Sequence, residues 1–530
     1  MAVVLPAGLA TVLLAPYTVV LVGLAFTFFF LWPLIVYFRD AKGLRKFPNM
    51  TTFSGMYNLP FIILAHTGSR SLHLAKLHKD YPILRTGPNS LSFGRVNAIK
   101  DIYGHGTPCT KDEQYLVGAG SHFHLADVVD KSEHARKRKV LSAAYALKNL
   151  ERWEFKVADK VQRMIAQIDK LCTAPPRKGE IEPAPEDVKV DVRTWFNFFS
   201  LDAIVDIGLS ARLGLIDQGH DMTTALRKDG TTFQTSLRDC LYPTARKQSW
   251  LIWSYDYYKV LDKLSNIIPF YNKMQKAADG WEAIVLYQSA QRLERYRKGE
   301  KLDDFFQALM EDKNGKPQNL DWGEIVAEIN IMMNAGSVTT AIALANILYQ
   351  LILHPDIMAK LRAELDDALD PEEVVAPYDK VKHLPYLRAC LDESLRLWPP
   401  TPHGLPRKTP AEGLSVMGHY VPGNTTVSMS ALVAHRDETV YPNADKFIPD
   451  RFLGEDGKNL QSSFITFSAG ARGCIGRNIS YLEQAVLLAS MVHRYDFSMP
   501  KSFEIQREET MNHLLGPLPL KTWRRHFSTK

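Results

Sequence analysis

The sequence predicts a large, mainly α-helical domain with a minor β part, standing behind one N-terminal membrane-spanning helix. Three observations predict it. The chain starts with a long uncharged run, it contains one long apolar segment with a sharp helix stop, and it later breaks into short apolar runs between turn residues.

From Met1 to Phe38 there is no charged side chain, and then Arg39, Asp40, Lys42, Arg45 and Lys46 follow. Tyr17 to Phe38 would be about 33 Å long as a helix, enough to cross a bilayer core. Pro33 predicts a bend near its end. The run is too long for a signal peptide and lacks a cationic start. Basic residues just after the span place the following body in the cytosol. Residues 1–42 are therefore expected to be a single-pass anchor and 43–530 the catalytic body, with Lys42–Pro60 as a linker between them.

The composition bounds the function. In 530 residues, 46% hydrophobic and 23% charged describes a folded globular chain. A net charge of +6 suits an acidic protein partner or an anionic membrane surface and is too small for nucleic-acid binding. Five cysteines, with no CxxC pair among them, exclude a disulfide framework and a zinc site.

The best helix starts at Asp321, where Asp321 and Glu324 form a capping-box pattern, and runs to the His354-Pro355 stop. At roughly 50 Å it must cross the whole body, and being apolar almost all round it must be buried. Its middle, Asn334-Ala335-Gly336-Ser337-Val338-Thr339-Thr340, is built of small and hydroxyl residues. These leave room beside the backbone, either for a neighbouring helix or for a bulky cofactor. Further helices are expected over Ile357–Ala368, Leu387–Leu397 and Asn478–His493. Pro400–Arg451 carries the strand-like texture, and the Pro-rich Thr173–Glu186 reads as a surface loop.

Phe464–Gly476 reads FITFSAGARGCIG. Glycines here permit a tight loop that can approach a flat ligand, and Cys474 precedes an apolar helix with Arg472 and Arg477 beside it. A helix N-terminus and cationic neighbours favour a thiolate, the proximal ligand that a haem iron needs for O–O cleavage. The GxxGxxG within the stretch lacks the βαβ context of a dinucleotide loop.

Phe467-x-x-Gly470-x-Arg472-x-Cys474-x-Gly476 resembles the cysteine-loop signature of the cytochrome P450 superfamily. Glu393-x-x-Arg396 and Pro449-Asp450-Arg451-Phe452 resemble the family's E-x-x-R and P-E-R-F motifs in the expected order. The resemblance runs from about Gly43 to the C-terminus and implies the cytochrome P450 fold, with a Glu393–Arg396–Arg451 network behind haem b, iron protoporphyrin IX. It implies Cys474 as the iron ligand, Phe467 beside the sulfur, and His134, Arg138, Arg407 and Arg472 at the haem propionates. The remaining cations of Lys131–Lys139, namely Lys131, Arg136, Lys137 and Lys139, are expected on a solvated face suited to an acidic electron donor.

Thr339 matches the family's oxygen-activating hydroxyl, but Val338 stands where the family carries an acid. Valine cannot relay a proton, so a water chain through Thr339, Ser337 or a substrate polar group is expected instead.

The resemblance implies a monooxygenase that takes dioxygen and draws electrons from a separate NADPH–cytochrome P450 reductase, at the endoplasmic reticulum membrane with lipid around its anchor. LRKFPN, GLPR and AHRDETVYPNADKFIPDRF are similar to fungal microsomal members, those resembling benzoate para-hydroxylases and those that tailor secondary metabolites. A small, largely apolar organic substrate is expected, lined by Tyr103–Leu125, Leu226–Tyr258, Met333–Asn334, Pro402–Leu405 and Leu514–Leu515. Desaturation, oxidative coupling or isomerisation on the same haem competes with hydroxylation. A non-catalytic membrane haem-binding protein is disfavoured by the hydroxyl-bearing groove.

Overall fold

The structure is a computed structural model that describes residues 18–118, 120–145, 151–177 and 182–526. Its axis is the helix Trp322–Leu353, 32 residues long and buried along most of its length. Asp321 caps it by accepting from the Gly323 N–H at 2.8 Å. The reciprocal half of the expected capping box is absent. Glu324 turns outward instead, to Arg136 at 2.5 Å and Lys137 at 2.6 Å, because two cations from another helix outbid a lone backbone amide.

The central helix packs along Val192–Leu209, itself almost wholly buried. Pro355–Ala368, Pro385–Leu397 and Arg477–Arg494 complete the core around it. The minor β part is a five-stranded sheet. Its strands, in spatial order, are Ile83–Gly87, Ser90–Phe93, Thr426–Ser428, Arg407–Lys408 and Thr110–Lys111. A hairpin of Met222–Leu226 and Thr232–Ser236, whose second strand lies in the region Leu226–Tyr258 expected to line the substrate, is a strand pair that periodicity did not show.

Glu393 and Arg396 meet on one helix face at 2.6 Å, and Arg451 reaches Glu393 at 3.1 Å. Arg396 also donates to the carbonyls of His435, Ala444 and Lys446, so every part of this buried cation finds an acceptor. The network ties the helix Pro385–Leu397 to the loops that lead into the cysteine segment.

The helix Thr18–Arg39 has no buried residue up to Trp32, and its mean hydropathy is 2.5. A π-helical turn at Thr27–Leu31 precedes Pro33, loosening the backbone where the proline ring would collide with the preceding turn. The expected linker is not a free tether. Leu44, Phe47 and Met50 are buried, and Lys42 donates to Asn89 and to the carbonyls of Gly423 and Asn424, each at 2.9 Å.

Candidate cofactor site

The cysteine segment folds back on itself. The Cys474 N–H donates to the Phe467 carbonyl at 2.8 Å, and the Gly473 N–H donates to Gly470 at 3.0 Å. Gly470 sits at φ +65°, with the Tyr103 carbonyl only 2.1 Å from where a Cβ would stand, so no other residue fits there. The helix Arg477–Arg494 starts directly after the loop.

Cys474 is solvent-accessible, although neighbouring protein groups desolvate its thiol. Burial pushes its thiol up; the backbone amides of Gly476 and Arg477 and the charges of Arg138 and Arg477 oppose this without reversing it. Arg138 reaches the Gly473 carbonyl at 2.6 Å, next to the cysteine. Phe467 packs on Tyr481, ring centroids 5.2 Å apart, with the Arg477 guanidinium 5.8 Å from both rings.

Of the two uses expected for small residues in the central helix, close helix packing is seen at Gly336. Gly336 abuts Ile204, which would lie 2.6 Å from an added Cβ, so this glycine lets two helices close. Ala335 is exposed in the middle of a buried helix and Thr339 is partly so, which makes an open step on that face of the helix. The Thr339 hydroxyl donates to the Ala335 carbonyl at 2.7 Å. Ser337 does not share that face. It is 1% exposed and donates to the Met333 carbonyl at 2.6 Å, which removes it from the expected water chain. Val338 is buried, and Thr340 meets Ser480 at 3.1 Å on the side away from Thr339.

His134 and Arg138, one turn apart on the helix Lys131–Ala144, converge with the sequence-distant Arg407 and Arg472. With them comes Lys111, which sequence reading missed. Arg472 donates to the carbonyls of Val128 and Val129, Arg407 to Tyr115 and the Pro406 carbonyl, and Lys111 to the carbonyls of Leu125 and Ala126. Among the described residues, no carboxylate is hydrogen-bonded to any of these four cations. The mutual repulsion shows. Burial, then Arg472, Lys111, Arg138 and Arg407, push His134 down to about 3, and burial with Arg407 brings Arg472 down to about 10.

Such a partly buried surplus of positive charge is stabilised by an anionic ligand. An accessible thiol and a cationic wall together fit an iron porphyrin bearing two carboxylates.

The neighbouring basic cluster needs one correction. Lys137 was expected in solvent but is 4% exposed, held by Glu324 and by Glu328 at 3.1 Å where this helix meets the central one. Arg136 is exposed as expected, yet already paired with Glu133 and Glu324. His122 and His124 behave as ordinary polar residues, paired with Asp321 and Asp127.

Fold and site together define a haem-dependent oxidoreductase. The chain belongs to the cytochrome P450 family, whose model matches residues 55–523. It is similar to the benzoate 4-monooxygenase bphA of Aspergillus niger, 26% identical over 94% of this chain and 95% of that protein. A cytochrome P450 monooxygenase of Aspergillus terreus is 30% identical over 86% of this chain and 90% of its own length. The cytochrome P450 monooxygenase efuB of Hormonema carpetanum is 26% identical over 84% and 85%. The protein is thus a haem monooxygenase that uses an organic substrate, dioxygen and a redox partner.

Proposed function

We propose that this chain holds haem b through the Cys474 thiolate and hydroxylates a small, largely apolar, aromatic or polyketide-like substrate in fungal secondary metabolism. Electrons come from NADPH–cytochrome P450 reductase. The observation that carries this reading is the pairing of an accessible thiol with a partly buried cluster of cations that no carboxylate hydrogen-bonds among the described residues.

When bound, the haem supplies dioxygen activation, delivering one oxygen atom to the substrate and releasing the other as water. The chain's own residues set the conditions. Cys474 gives up its proton to become a ligand, with the amides of Gly476 and Arg477 aimed at its sulfur. Arg138, Arg407, Arg472 and neutral His134 hold the propionates by charge-assisted hydrogen bonds. Thr339 holds a proton at Oγ1 on the cleft face and passes protons between water and dioxygen, since Val338 offers none.

Residues 1–42 serve as a single-pass anchor in the endoplasmic reticulum membrane, and residues 43–530 as the cytosolic catalytic body. Supporting this, a second apolar surface of Tyr257, Val260, Leu264, Ile267, Ile268 and Phe270 lies exposed, and the Phe28 ring of the anchor meets Tyr257 at 6.3 Å. Lipid is the medium that covers both. Trp250 and Tyr242 of the same aromatic-rich stretch are instead core residues: Trp250 is buried and Tyr242 is bonded to Asn197.

The buried Val338 favours a second reading on the same haem, in which proton delivery is slow and the outcome is desaturation, ring coupling or isomerisation. Reduced, carbon monoxide-treated protein tests the thiolate: the wild type should show the red-shifted Soret band of thiolate ligation and Cys474→Ser should lose it. A wild type without haem, or an unchanged band in the variant, overturns the proposal. Isotopically labelled dioxygen, with candidate substrates and the reductase, separates hydroxylation from the second reading.

A further inference from the structure

We propose that Arg70, Trp253 and His403 form a recognition point for one uncharged hydroxyl of the substrate, a phenol or an alcohol. The inference rests on the haem reading above and names the polar handle of an otherwise apolar substrate. The three side chains come from distant parts of the chain: the helix Arg70–Leu77, the short helix Ile252–Tyr257 and the segment Pro402–Leu405. The Arg70 guanidinium lies 4.5 Å from the centre of the Trp253 ring, and that ring meets His403 edge-on with centroids 6.2 Å apart. His403 also borders a small internal cavity whose wall includes Leu405 and, from the cysteine segment, Thr466 and Ser468. The cluster therefore adjoins the loop that carries Cys474.

Each member holds a buried polar atom with no hydrogen-bond partner among the described residues: Arg70 Nη1, Trp253 Nε1 and His403 Nδ1. Arg70 is 1% exposed and His403 4%, so bulk water does not serve them. Buried polar groups left in this state destabilise a fold unless a ligand or a resident water satisfies them. Charge is not what is missing. Glu509 accepts from Nε and Nη2 of Arg70, at 3.0 and 2.8 Å, and neutralises it. The same carboxylate accepts from the Ser71 amide and hydroxyl, at 2.7 and 2.8 Å. Burial and the Arg70 charge push His403 down to about 3, so its ring is neutral, and the Met511 backbone carbonyl takes its single N–H. Nδ1 is thereby a bare acceptor. The missing group must accept from two N–H donors and donate to one nitrogen. A hydroxyl has two lone pairs and one proton. A ketone or a carboxylate has no proton to give, and a carboxylate would add a charge that the already paired Arg70 does not balance.

The test is calorimetric titration of the full-length holoenzyme with 2-naphthol and with 2-methylnaphthalene, which has the same shape and no hydrogen-bonding group. The wild type should bind 2-naphthol about tenfold more tightly, the factor that one hydrogen bond of ordinary net strength supplies. Trp253→Phe and His403→Leu remove one donor and the acceptor while sparing the Arg70–Glu509 pair. Each should bring the two affinities within about twofold of one another. A loss of packing alone would weaken both probes alike and keep the preference. Variants that retain the preference overturn the inference, and so does a wild type without one, in which a resident water alone fills the cluster. A wild type that takes up no haem would instead sink the underlying haem reading, so the two failures are distinct.

Discussion

Thr339 donates its hydroxyl to the Ala335 carbonyl one turn back along the central helix, at 2.7 Å. The bond parks a movable proton on the open face of an otherwise buried helix, with no acid in the neighbouring position. A threonine in this state can turn to a better acceptor in the cleft without losing its packing, since only a weak local bond is exchanged.

Thr339→Ala should therefore uncouple the enzyme: product formed per NADPH consumed falls by roughly a hundredfold, the low end for loss of a proton-transfer group, while hydrogen peroxide rises. Thr339→Ser should recover most of the coupling. Val338→Asp should speed turnover without changing the product. Stoichiometry of NADPH, peroxide and product checks all three, and indifference to Thr339→Ala would exclude the groove from the chemistry.

Ser468, next to Phe467 in the cysteine segment, sits at φ +58°. A side chain in that region is strained by about 1 kcal/mol, and glycine removes the strain. The buried Ser468 hydroxyl also finds no hydrogen-bond partner among the described residues. Ser468→Gly is expected to raise stability by about 1 kcal/mol, read as a higher midpoint in denaturant with the Soret band unchanged. A lower midpoint would mean that the hydroxyl is secured by contacts the loop needs.

Removing Glu393 leaves Arg396 buried with no opposing charge and loosens Arg451. Glu393→Gln should cost about 3–5 kcal/mol, the usual loss when one partner of a buried pair is deleted. Thermal unfolding of the holoenzyme measures it. A change below about 1 kcal/mol would show that the carbonyls around Arg396 suffice by themselves.

His435 must be neutral in the fold. Its Nε2 accepts the Ile465 N–H at 2.9 Å, and its Nδ1 faces the Arg396 carbonyl at 3.0 Å; burial and the Arg396 charge lower it to about 3. The unfolded chain takes up this proton near pH 6.5 and the folded chain does not, so stability is complete above about pH 6.5 and declines as pH falls toward 3. Each such histidine contributes a slope of about 1.4 kcal/mol per pH unit in that window. His403 and His513, lowered to about 3 by burial and nearby arginines, add to it. Denaturant midpoints at pH 7, 6 and 5 should fall steadily, and a flat profile would refute the neutral state.

The chemistry of the site was legible wherever it was local in sequence. Phe467 through Gly476, Glu393 with Arg396, and Thr339 in its groove each carry their geometry in their spacing, because a tight loop or a helix turn fixes it. Lys111 and Tyr115 were invisible, since only the pairing of two short strands 296 positions apart brings Lys111 to Arg407. Lys137 was misjudged for a related reason: a basic run gives no sign of which member will face Glu328 on another helix. Lys42–Pro60 looked like a linker because prolines and glycines mask the apolar residues Leu44, Phe47 and Met50 that dock it.

That docking changes what the anchor is. With Lys42 clasped to Asn89 and the Gly423–Asn424 turn, and Phe28 leaning on Tyr257, the apolar N-terminal helix is joined to the folded body at two separate points. Helices answer a thinner bilayer by tilting. If this helix is seated in a bilayer, its tilt would be handed on to the whole enzyme, and the membrane's thickness would govern the angle at which the body meets its redox partner.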